Sequence, residues 1–237
     1  MVSVCMATFN GEQFIQDQLN SILKQISEED EIVICDDYSS DRTVEIIKSY
    51  NDNRIKLFVN EDRLGIIRNF EKSLMLASKP YIFLADQDDI WESRKIDICM
   101  ELLNEYDLVL SNCSIIDQNK KIVNDSYFSL RKGKVGFVNN LIKNSFLGSC
   151  MAFRRSVLLK SLPFPKSIAM HDWWIGLVAS LFFKCIVFEM PLVLHRVHDN
   201  NSSTTGKPSS FSAKKKILIR VNILISLLRR NKVKIFL

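Results

Sequence analysis

Short apolar runs alternate with stretches of helical periodicity along the first half of the chain. The apolar runs have the length of buried strands and cover residues 2–7, 31–35, 55–59 and 81–85. The stretch between the first two runs carries apolar residues at helical spacing, namely Phe14, Ile15, Leu19, Ile22, Leu23 and Ile26. Further helices are predicted to start near Asp41 and to span 66–77. This alternation is typical of α/β proteins and predicts a largely parallel sheet with helices on both faces.

The pattern is less regular after Leu110. We predict strands at 108–111 and 149–153 and a helix over 137–143. The region 202–212 is rich in Ser, Thr, Gly and Pro, a composition typical of linkers. The predicted organisation is one domain over residues 1–201 with halves 1–110 and 111–201, a linker over 202–213, and a tail over 214–237.

Charge is distributed unevenly between the domain and the tail. The chain of 237 residues has a formal net charge of +5, but nine Lys or Arg and no acidic residue follow Gly206, so the preceding part is net acidic. An acidic domain argues against nucleic acid as a partner.

The basic tail also carries apolar residues on one helical face, at Ile217, Leu218, Val221, Leu224, Ile225 and Leu228. Such a basic amphipathic helix suits an anionic membrane surface, and packing on the domain or on a partner subunit is the alternative.

Cysteine usage and the N-terminal residues bear on the cellular compartment. The six cysteines are scattered, without a C-x-x-C pair, and are interpreted as reduced core residues. Residues 1–7 lack a basic segment and a long apolar segment, and no run of 18 uncharged apolar residues occurs. We therefore expect a cytoplasmic protein without a membrane span, located at the inner face of the plasma membrane if the tail binds it.

Three carboxylates, Asp86, Asp88 and Asp89, directly follow the strand predicted at 81–85. Like charges this close repel one another unless a cation or bound protons neutralise them. Oxygen ligands suit Mg²⁺ or Mn²⁺, which commonly bridge carboxylates to substrate phosphates. An isolated D-x-D is more often a solvated acidic turn, so the motif gains weight only from the other polar clusters. Asp89 alone is also interpreted as the cap of a helix beginning near Trp91.

Polar residues also end the first two predicted strands. Asp36 and Asp37 follow the second strand, and Thr8 and Asn10 end the first. A carboxylate at a strand end can accept the ring N–H of uracil or thymine, or a ribose hydroxyl, so these residues are candidates for nucleotide binding. The hydroxyls and carboxylate at 39–41 can instead cap the next helix.

Several of these segments resemble family 2 glycosyltransferases of the GT-A (Rossmann-like) fold. The matching segments, in family order, are residues 2–11, 34–43, 60–69, 84–91 with Lys95, and 171–174. The resemblance implies that residues 1–110 bind a nucleotide-sugar donor and that 111–201 bind a glycan or lipid-linked acceptor. It implies an inverting transfer, with dTDP-rhamnose or a UDP-sugar as donor, in bacterial surface polysaccharide synthesis.

The resemblance also assigns roles to individual residues. Thr8 and Asp37 are expected to contact the base, Asp86 to lie near the ribose, and Asp88 to bind the metal. Asp172 occupies the position of the catalytic base, although a helix-cap Asp fits the sequence equally well. His198 is expected to complete the metal site, with Arg196 as a phosphate contact.

The segment around Arg68 departs from the family pattern, being one residue shorter before its Arg-Asn. A nucleotide contact by Arg68 therefore competes with a surface position on a helix.

Two other functions share parts of this pattern. A sugar-phosphate nucleotidyltransferase would use a similar fold and metal, but it should open with a glycine-rich phosphate loop, and only Gly11 follows the first strand. A non-enzymatic phospho-acceptor signalling domain would show carboxylates at strand ends, but it would not need His171, Asp172 or the second half of the chain.

Overall fold

A computed structural model describes residues 1–131, 136–198 and 212–232. The strands are β1 (Val2–Thr8), β2 (Glu31–Asp36), β3 (Ile55–Val59), β4 (Tyr81–Asp86), β5 (Ile90–Trp91), β6 (Leu108–Ile116), β7 (Ile122–Asn124), β8 (Met151–Arg154) and β9 (Cys185–Arg196). The helices are α1 (Ile15–Leu23), α2 (Thr43–Ser49), α3 (Ile66–Leu76), α4 (Lys95–Leu102), α5 (Tyr127–Arg131), α6 (Phe137–Ile142), α7 (Arg155–Ser161), α8 (His171–Phe182) and α9 (Ala213–Lys232). A 3₁₀ turn covers Gly148–Cys150.

Within these described residues, all nine strands belong to one sheet. Its order is β3-β2-β1-β4-β8-β6-β9-β5, and β7 pairs with β6. Strands β5, β7 and β8 run antiparallel to their neighbours, and the other six share one direction. The predicted α/β fold with a mostly parallel sheet is therefore confirmed.

The first half follows the predicted order of strands and helices closely. Strands β1 and β2 are almost fully buried because they lie inside the sheet and are covered on both faces, which explains their continuous apolar runs. In the parallel register Thr8 lies opposite Asp36, and Ala7 lies opposite Asp86. The polar residues that end β1, β2 and β4 therefore meet at one edge of the sheet, as in other open α/β sheets.

Several elements were not predicted from the sequence pattern, namely β5 in the first half and β7, α7 and the long strand β9 in the second half. The helix expected near Trp91 is wrong, because Ile90 and Trp91 form β5 and α4 begins only at Lys95. Ile90 pairs with Leu194 and Trp91 with Val193. A two-residue strand depends on this distant partner and leaves no periodic signal of its own.

The tail forms α9 and packs on the domain, as the alternative interpretation of the tail expected. Ile223 and Leu227 are buried in the main core. Arg220 donates to the backbone oxygens of Leu141 and Ile142 at the end of α6. No described helix combines the length and apolarity needed to cross a bilayer. The predicted linker falls almost wholly on residues 199–211, and the end of the tail on 233–237; both lie outside the described residues.

Candidate active site

A cavity of about 310 Å³ opens at the edge of the sheet where β1, β2 and β4 end. Five of the predicted site residues line it: Thr8, Asp37, Asp86, Asp88 and Asp172. The 3₁₀ turn and the start of α8 close its other side through Gly148, His171 and Asp172. The candidate nucleotide-binding residues and the candidate base therefore share one cavity, although they are far apart in the sequence.

Asp37 organises the loop that follows β3. Its carboxylate accepts hydrogen bonds from the backbone N–H of Leu64 at 2.6 Å and of Gly65 at 2.9 Å, and from Asn60 Nδ2 at 3.1 Å. Gly65 has a φ of 77°, a conformation in which a side chain would be strained. Asp37 thus fixes this loop at the cavity wall.

Asp36 does not line the cavity, although it was predicted to bind nucleotide. Its fully buried carboxylate accepts hydrogen bonds from Thr8 Oγ1 at 2.8 Å, from Ser39 Oγ at 2.6 Å and from the backbone N–H of Ser39 at 2.8 Å. These bonds hold the turn after β2. The paired carboxylates of the sequence therefore have different positions, with Asp37 at the cavity and Asp36 behind it.

Asn10 and Arg68 also lie outside the cavity lining. Asn10 is exposed, and its side-chain oxygen accepts a hydrogen bond from the backbone N–H of Ser40. Arg68 forms an ion pair with Glu71 and donates to the backbone oxygen of Phe164 at 3.1 Å. Arg68 therefore joins α3 to the loop after α7. This position agrees better with the predicted surface position on a helix than with a nucleotide contact.

Gln87, the middle residue of the D-x-D, has a role that the sequence did not suggest. Its side-chain amide accepts from Phe9 N at 2.9 Å and donates to Phe9 O at 3.1 Å. A Cβ on Gly11 would lie 2.4 Å from Gln87 Oε1, so Gly11 leaves room for this contact. Gln87 thereby fixes the end of β1 against the acidic cluster, which consists of Asp86, Asp88 and Asp89. The sequence holds no local signal for this contact.

The acidic cluster contains a carboxylate, that of Asp86, whose ionisation is disfavoured by its surroundings. Burial, followed by the charges of Asp89 and Asp88, raises the pKa of Asp86 well above its usual value. Asp88 Oδ2 lies 3.0 Å from His198 Nε2, with both side chains largely buried. Ligand atoms of Asp86, Asp89 and His195 also lie within 4.8 Å of one another. Two Asp–His contacts therefore surround the predicted metal position.

Asp89 pairs with His195 and does not cap a helix. His195 Nδ1 lies 2.9 Å from Asp89 Oδ1, and the backbone N–H of Arg196 donates to the same oxygen at 2.9 Å. Burial by itself would lower the pKa of His195, but the charge and hydrogen bond of Asp89 raise it to about 10. Burial would likewise raise the pKa of Asp89, but His195 lowers it. The expected helix cap at Asp89 is wrong, because the residue forms a buried ion pair with β9.

Arg196 is 1% exposed and directed at protein acceptors. Its guanidinium donates to the backbone oxygens of Asp88 and Gln118 and to the carboxylate of Asp17. This placement gives no support to the predicted phosphate contact. Arg196 instead ties the acidic cluster to α1 and to the turn after β6.

The residues present fit a hard divalent cation. Mg²⁺ and Mn²⁺ take ligands at about 2.1 Å in octahedral geometry, so two neighbouring ligand atoms lie about 3 Å apart. The distance between Asp88 Oδ2 and His198 Nε2 is 3.0 Å. The raised pKa of Asp86 also means that a nearby cation would stabilise its ionised form. The Asp89–His195 pair is equally close, but Asp89 is fully buried and also accepts a hydrogen bond from the backbone N–H of Arg196, whereas Asp88 lines the cavity. Asp88 and His198 are therefore the candidate ligands.

Asp172 lies in the first turn of α8 and lines the same cavity as Asp37. Its carboxylate accepts hydrogen bonds from the backbone N–H of Trp173 at 2.6 Å and of Gly148 at 3.2 Å. Burial raises the pKa of Asp172 to about 6. A carboxylate with this pKa is ionised at neutral pH yet basic enough to accept a proton, so the helix-terminal position expected from the sequence is compatible with a role as base.

Lys95 supports the wall that carries Asp172. It is fully buried, its Nζ lies 4.1 Å from the centre of the Trp91 ring, and it donates to the backbone oxygen of Ser149 at 2.5 Å. This bond holds the 3₁₀ turn whose Gly148 N–H contacts Asp172. Lys95 therefore connects α4 to the position of the candidate base.

Several known proteins are similar to this chain in sequence or in fold. UDP-Glc:alpha-D-GlcNAc-diphosphoundecaprenol beta-1,3-glucosyltransferase WfgD of Escherichia coli is 32% identical over 167 residues, which cover 70% of this chain and 64% of that protein. The dTDP-rhamnosyl transferase RfbG of Shigella flexneri is 28% identical over 90% of this chain and 78% of its own. The structure of S. aureus TarS 1–349 in complex with UDP-GlcNAc superposes with a TM-score of 0.74 at 21% identity, covering 99% of this chain and 76% of that one.

The match to WfgD thus spans less than two thirds of that relative, whereas the fold similarity to TarS extends over nearly the whole chain. A family model described as "Glycosyl transferase family 2" matches residues 3–162, from the first strand to the end of α7. Since this match covers more than half of the chain, the protein belongs to glycosyl transferase family 2.

Proposed function

We propose that the protein is an inverting, metal-dependent glycosyltransferase that uses a UDP-sugar or dTDP-rhamnose as donor. The observation that carries this proposal is that Asp172, with a pKa of about 6, shares one cavity with Asp37 and the acidic cluster. Family membership gives no support to the two alternatives, a nucleotidyltransferase and a phospho-acceptor signalling domain.

The proposed roles follow the position of each residue around the cavity. Thr8 and Asp37 lie at the ends of β1 and β2 and face the base, and Asp86 lies near the ribose. Asp88 and His198 hold Mn²⁺ or Mg²⁺, which when bound stabilises negative charge on the departing diphosphate. Asn10 and Asp36 support the turn after β2 through their hydrogen bonds with Ser40 and Ser39, and Arg68 links α3 to the loop after α7.

Asp172 acts as the general base in this scheme. It takes the proton of an acceptor hydroxyl while that oxygen forms a bond to the anomeric carbon of the donor sugar. The bond from this carbon to the diphosphate oxygen breaks on the opposite side, so the configuration inverts. The partial burial of the site by the 3₁₀ turn and α8 limits access of water, which would compete with the acceptor.

The relatives suggest the class of donor and acceptor. The name of WfgD contains UDP-Glc and alpha-D-GlcNAc-diphosphoundecaprenol, and RfbG is named a dTDP-rhamnosyl transferase. Uracil and thymine present the same ring N–H, so one carboxylate such as Asp37 can serve either base. We infer a lipid-linked or polysaccharide acceptor in bacterial surface glycan synthesis.

A panel of donors tests the proposal. UDP-glucose, UDP-GlcNAc, dTDP-rhamnose and GDP-mannose would each be incubated with Mn²⁺, Mg²⁺ or EDTA and an undecaprenyl-diphosphate glycan, and both glycan product and nucleoside diphosphate would be measured. We expect transfer from a uracil or thymine donor that EDTA abolishes. Absence of transfer from every donor, or full activity in EDTA, would contradict the proposal.

Two histidine variants separate a metal role from a structural one. We expect His198→Gln to weaken Mn²⁺ binding, measured by electron paramagnetic resonance, by about tenfold or more, since loss of a ligand costs affinity. His195→Gln is the matched control: it breaks a buried ion pair and should lower the free energy of unfolding by about 3–5 kcal/mol. If His195→Gln alone lost Mn²⁺ affinity in folded protein, the metal would belong to the Asp86, Asp89 and His195 group.

We also propose that the exposed apolar face of α9 contacts a membrane surface. The six residues on the apolar face predicted from the sequence are 38–66% exposed, whereas Ile223 and Leu227 on another side pack against the domain. Lys214, Lys215 and Arg229 are exposed on the same helix. An apolar face flanked by cations suits the anionic inner face of a bacterial plasma membrane, where a lipid-linked acceptor would lie.

Vesicle flotation tests this membrane contact. The double variant Leu224→Ser/Leu228→Ser should float less with phosphatidylglycerol vesicles than the wild type, and neither protein should float with phosphatidylcholine alone. Met75→Ser, an equally exposed apolar change on α3, is the control and should float like the wild type. Equal flotation of the double variant and the wild type would rule out this surface.

A further inference from the structure

His171 is a buried polar side chain for which the proposed reaction has no role. It is the first residue of α8, is 2% exposed, and lines the same cavity as Asp172. Neither of its ring nitrogens has a hydrogen-bond partner within the part of the chain that the structure describes. A buried polar atom without a hydrogen bond costs about 1–3 kcal/mol, so this arrangement requires a compensating reason.

The ring of His171 is packed between Phe70 and Gly148, a residue that has no side chain. The imidazole stacks on Phe70 with ring centroids 3.9 Å apart and an interplanar angle of 19°. A Cβ placed on Gly148 would lie 3.2 Å from His171 Nε2, so glycine at this position keeps that side of the ring uncrowded. Phe70 and Gly148 both line the cavity. The ring is thus held rigidly at the cavity wall by apolar contacts.

The protonation state restricts what the ring can bind. Burial lowers the pKa of His171 to about 3, so the imidazole is neutral at physiological pH. A neutral imidazole offers one N–H donor and one acceptor nitrogen. A phosphate oxygen could use only the donor, whereas a sugar hydroxyl both donates and accepts. The ring therefore matches a hydroxyl better than an anion.

We propose that His171 binds a hydroxyl of a substrate sugar and so contributes to the choice of sugar. The position supports this, because His171 precedes the proposed base Asp172 in the sequence and both line the cavity that Asp37 and Asp88 also line. The inference rests on the proposed function, since it requires a sugar substrate in this cavity. The hydroxyl belongs to the donor sugar or to the acceptor sugar, which share the same chemistry.

His171→Phe tests the inference while keeping an aromatic ring on Phe70. The probes are the nucleotide-sugar that the wild type turns over and its free nucleoside diphosphate, both titrated calorimetrically with Mn²⁺, together with the acceptor KM. Loss of one neutral hydrogen bond should weaken sugar recognition about tenfold. Because two unpartnered buried nitrogens are removed, the melting temperature should stay equal or rise.

The outcomes separate the two sources of the hydroxyl. About tenfold weaker binding of the nucleotide-sugar with unchanged binding of the nucleoside diphosphate assigns the donor sugar. Unchanged donor binding with about tenfold higher acceptor KM assigns the acceptor. A lower melting temperature with equal losses for both nucleotides, or no change in any of these quantities, would overturn the inference and leave His171 a structural residue.

His171→Gln is the second variant and keeps a donor and an acceptor. If His171→Phe does not fold, we expect His171→Gln to fold and to retain more sugar recognition than His171→Ala; equal recognition by these two variants would overturn the inference. Failure of the wild type itself to bind any nucleotide-sugar would instead contradict the proposed function on which the inference rests.

Discussion

At the scale of residues, burial gives neighbouring carboxylates different properties. Asp89 is paired with His195 and has a lowered pKa, whereas Asp86 has a raised pKa because burial and two nearby charges oppose its ionisation. Asp172 has a raised pKa of about 6 through burial alone. Carboxylates close together in space therefore include one in a buried ion pair, one whose ionisation is disfavoured, and one that is a candidate base.

The pKa of Asp172 predicts the pH dependence of transfer. The ionised carboxylate is the active base, so the rate should fall as pH decreases through about 6 and should level off well above that pH, where the group is fully ionised. Initial rates between pH 5 and 8 at saturating donor and metal would measure this. A rate independent of pH across this range would contradict the assignment.

The variant Asp172→Asn tests the same assignment, because it removes the proposed base. It should lower the rate about 10²- to 10⁴-fold, the usual contribution of a general base, because the amide cannot accept the proton. Nucleotide binding in the presence of Mn²⁺ should be retained, since Asp37, Asp88 and His198 are unchanged. Loss of rate and of nucleotide binding together would show that Asp172 holds the fold of the cavity instead.

At the scale of elements, two contacts between distant segments build the site. Strand β5 pairs with β9, which brings Asp88 and Asp89 to His198 and His195 across more than 100 residues of sequence. Helix α9 packs beside α8 through Arg220, near the Trp173 ring, and Arg230, near the Trp174 ring. These two tryptophans directly follow Asp172 in the sequence, so the tail supports the helix that carries the candidate base.

Adjacent leucines of α9 should have different effects on its docking. Leu227 is 3% exposed and Leu228 is 66% exposed. Leu227→Ala removes buried methyl groups and should weaken docking by about 2–5 kcal/mol, whereas Leu228→Ala should change it by less than about 0.5 kcal/mol. Hydrogen exchange of the amides in 213–232 would report both changes. Equal exchange in the two variants would mean that α9 does not dock as described.

At the scale of the whole molecule, the proposed donor and acceptor halves share a single sheet. Strand β4 of the first half pairs with β8 of the second, and β8 pairs with β6. The division at residue 110, predicted from the sequence, therefore falls inside one sheet and does not separate two folding units. A cut at this position would expose the edge of β4 and leave Asp89 without His195.

A fragment of residues 1–110 should consequently fail to fold alone. An exposed central strand is an aggregation hazard, and the buried charge of Asp89 would lack its partner. Circular dichroism and gel filtration of the fragment, with residues 1–198 as the control, would measure this. A monomeric fragment with cooperative unfolding would show that the first half is an independent domain.

Much of the first half could be predicted from the sequence because its signals are local. Buried parallel strands appear as apolar runs such as 31–35, and α1 has a clear helical period, so fold class and the convergence of Thr8, Asp37 and Asp86 follow from the order of elements. Strand β5 in the first half and strand β9 in the second depend on partners far along the chain. Their pairing left no periodic signal and could not be predicted.

The sequence by itself determined the α/β order of elements, the edge at which polar residues gather and the amphipathic character of the tail, because each depends on neighbouring residues and their spacing. Only the tertiary structure decided which residues face the cavity. It placed Asp36 behind Asp37, paired Asp89 with His195, and turned the predicted apolar face of α9 outward while Ile223 and Leu227 dock. These outcomes depend on burial and on competing partners from distant segments, which no local pattern records.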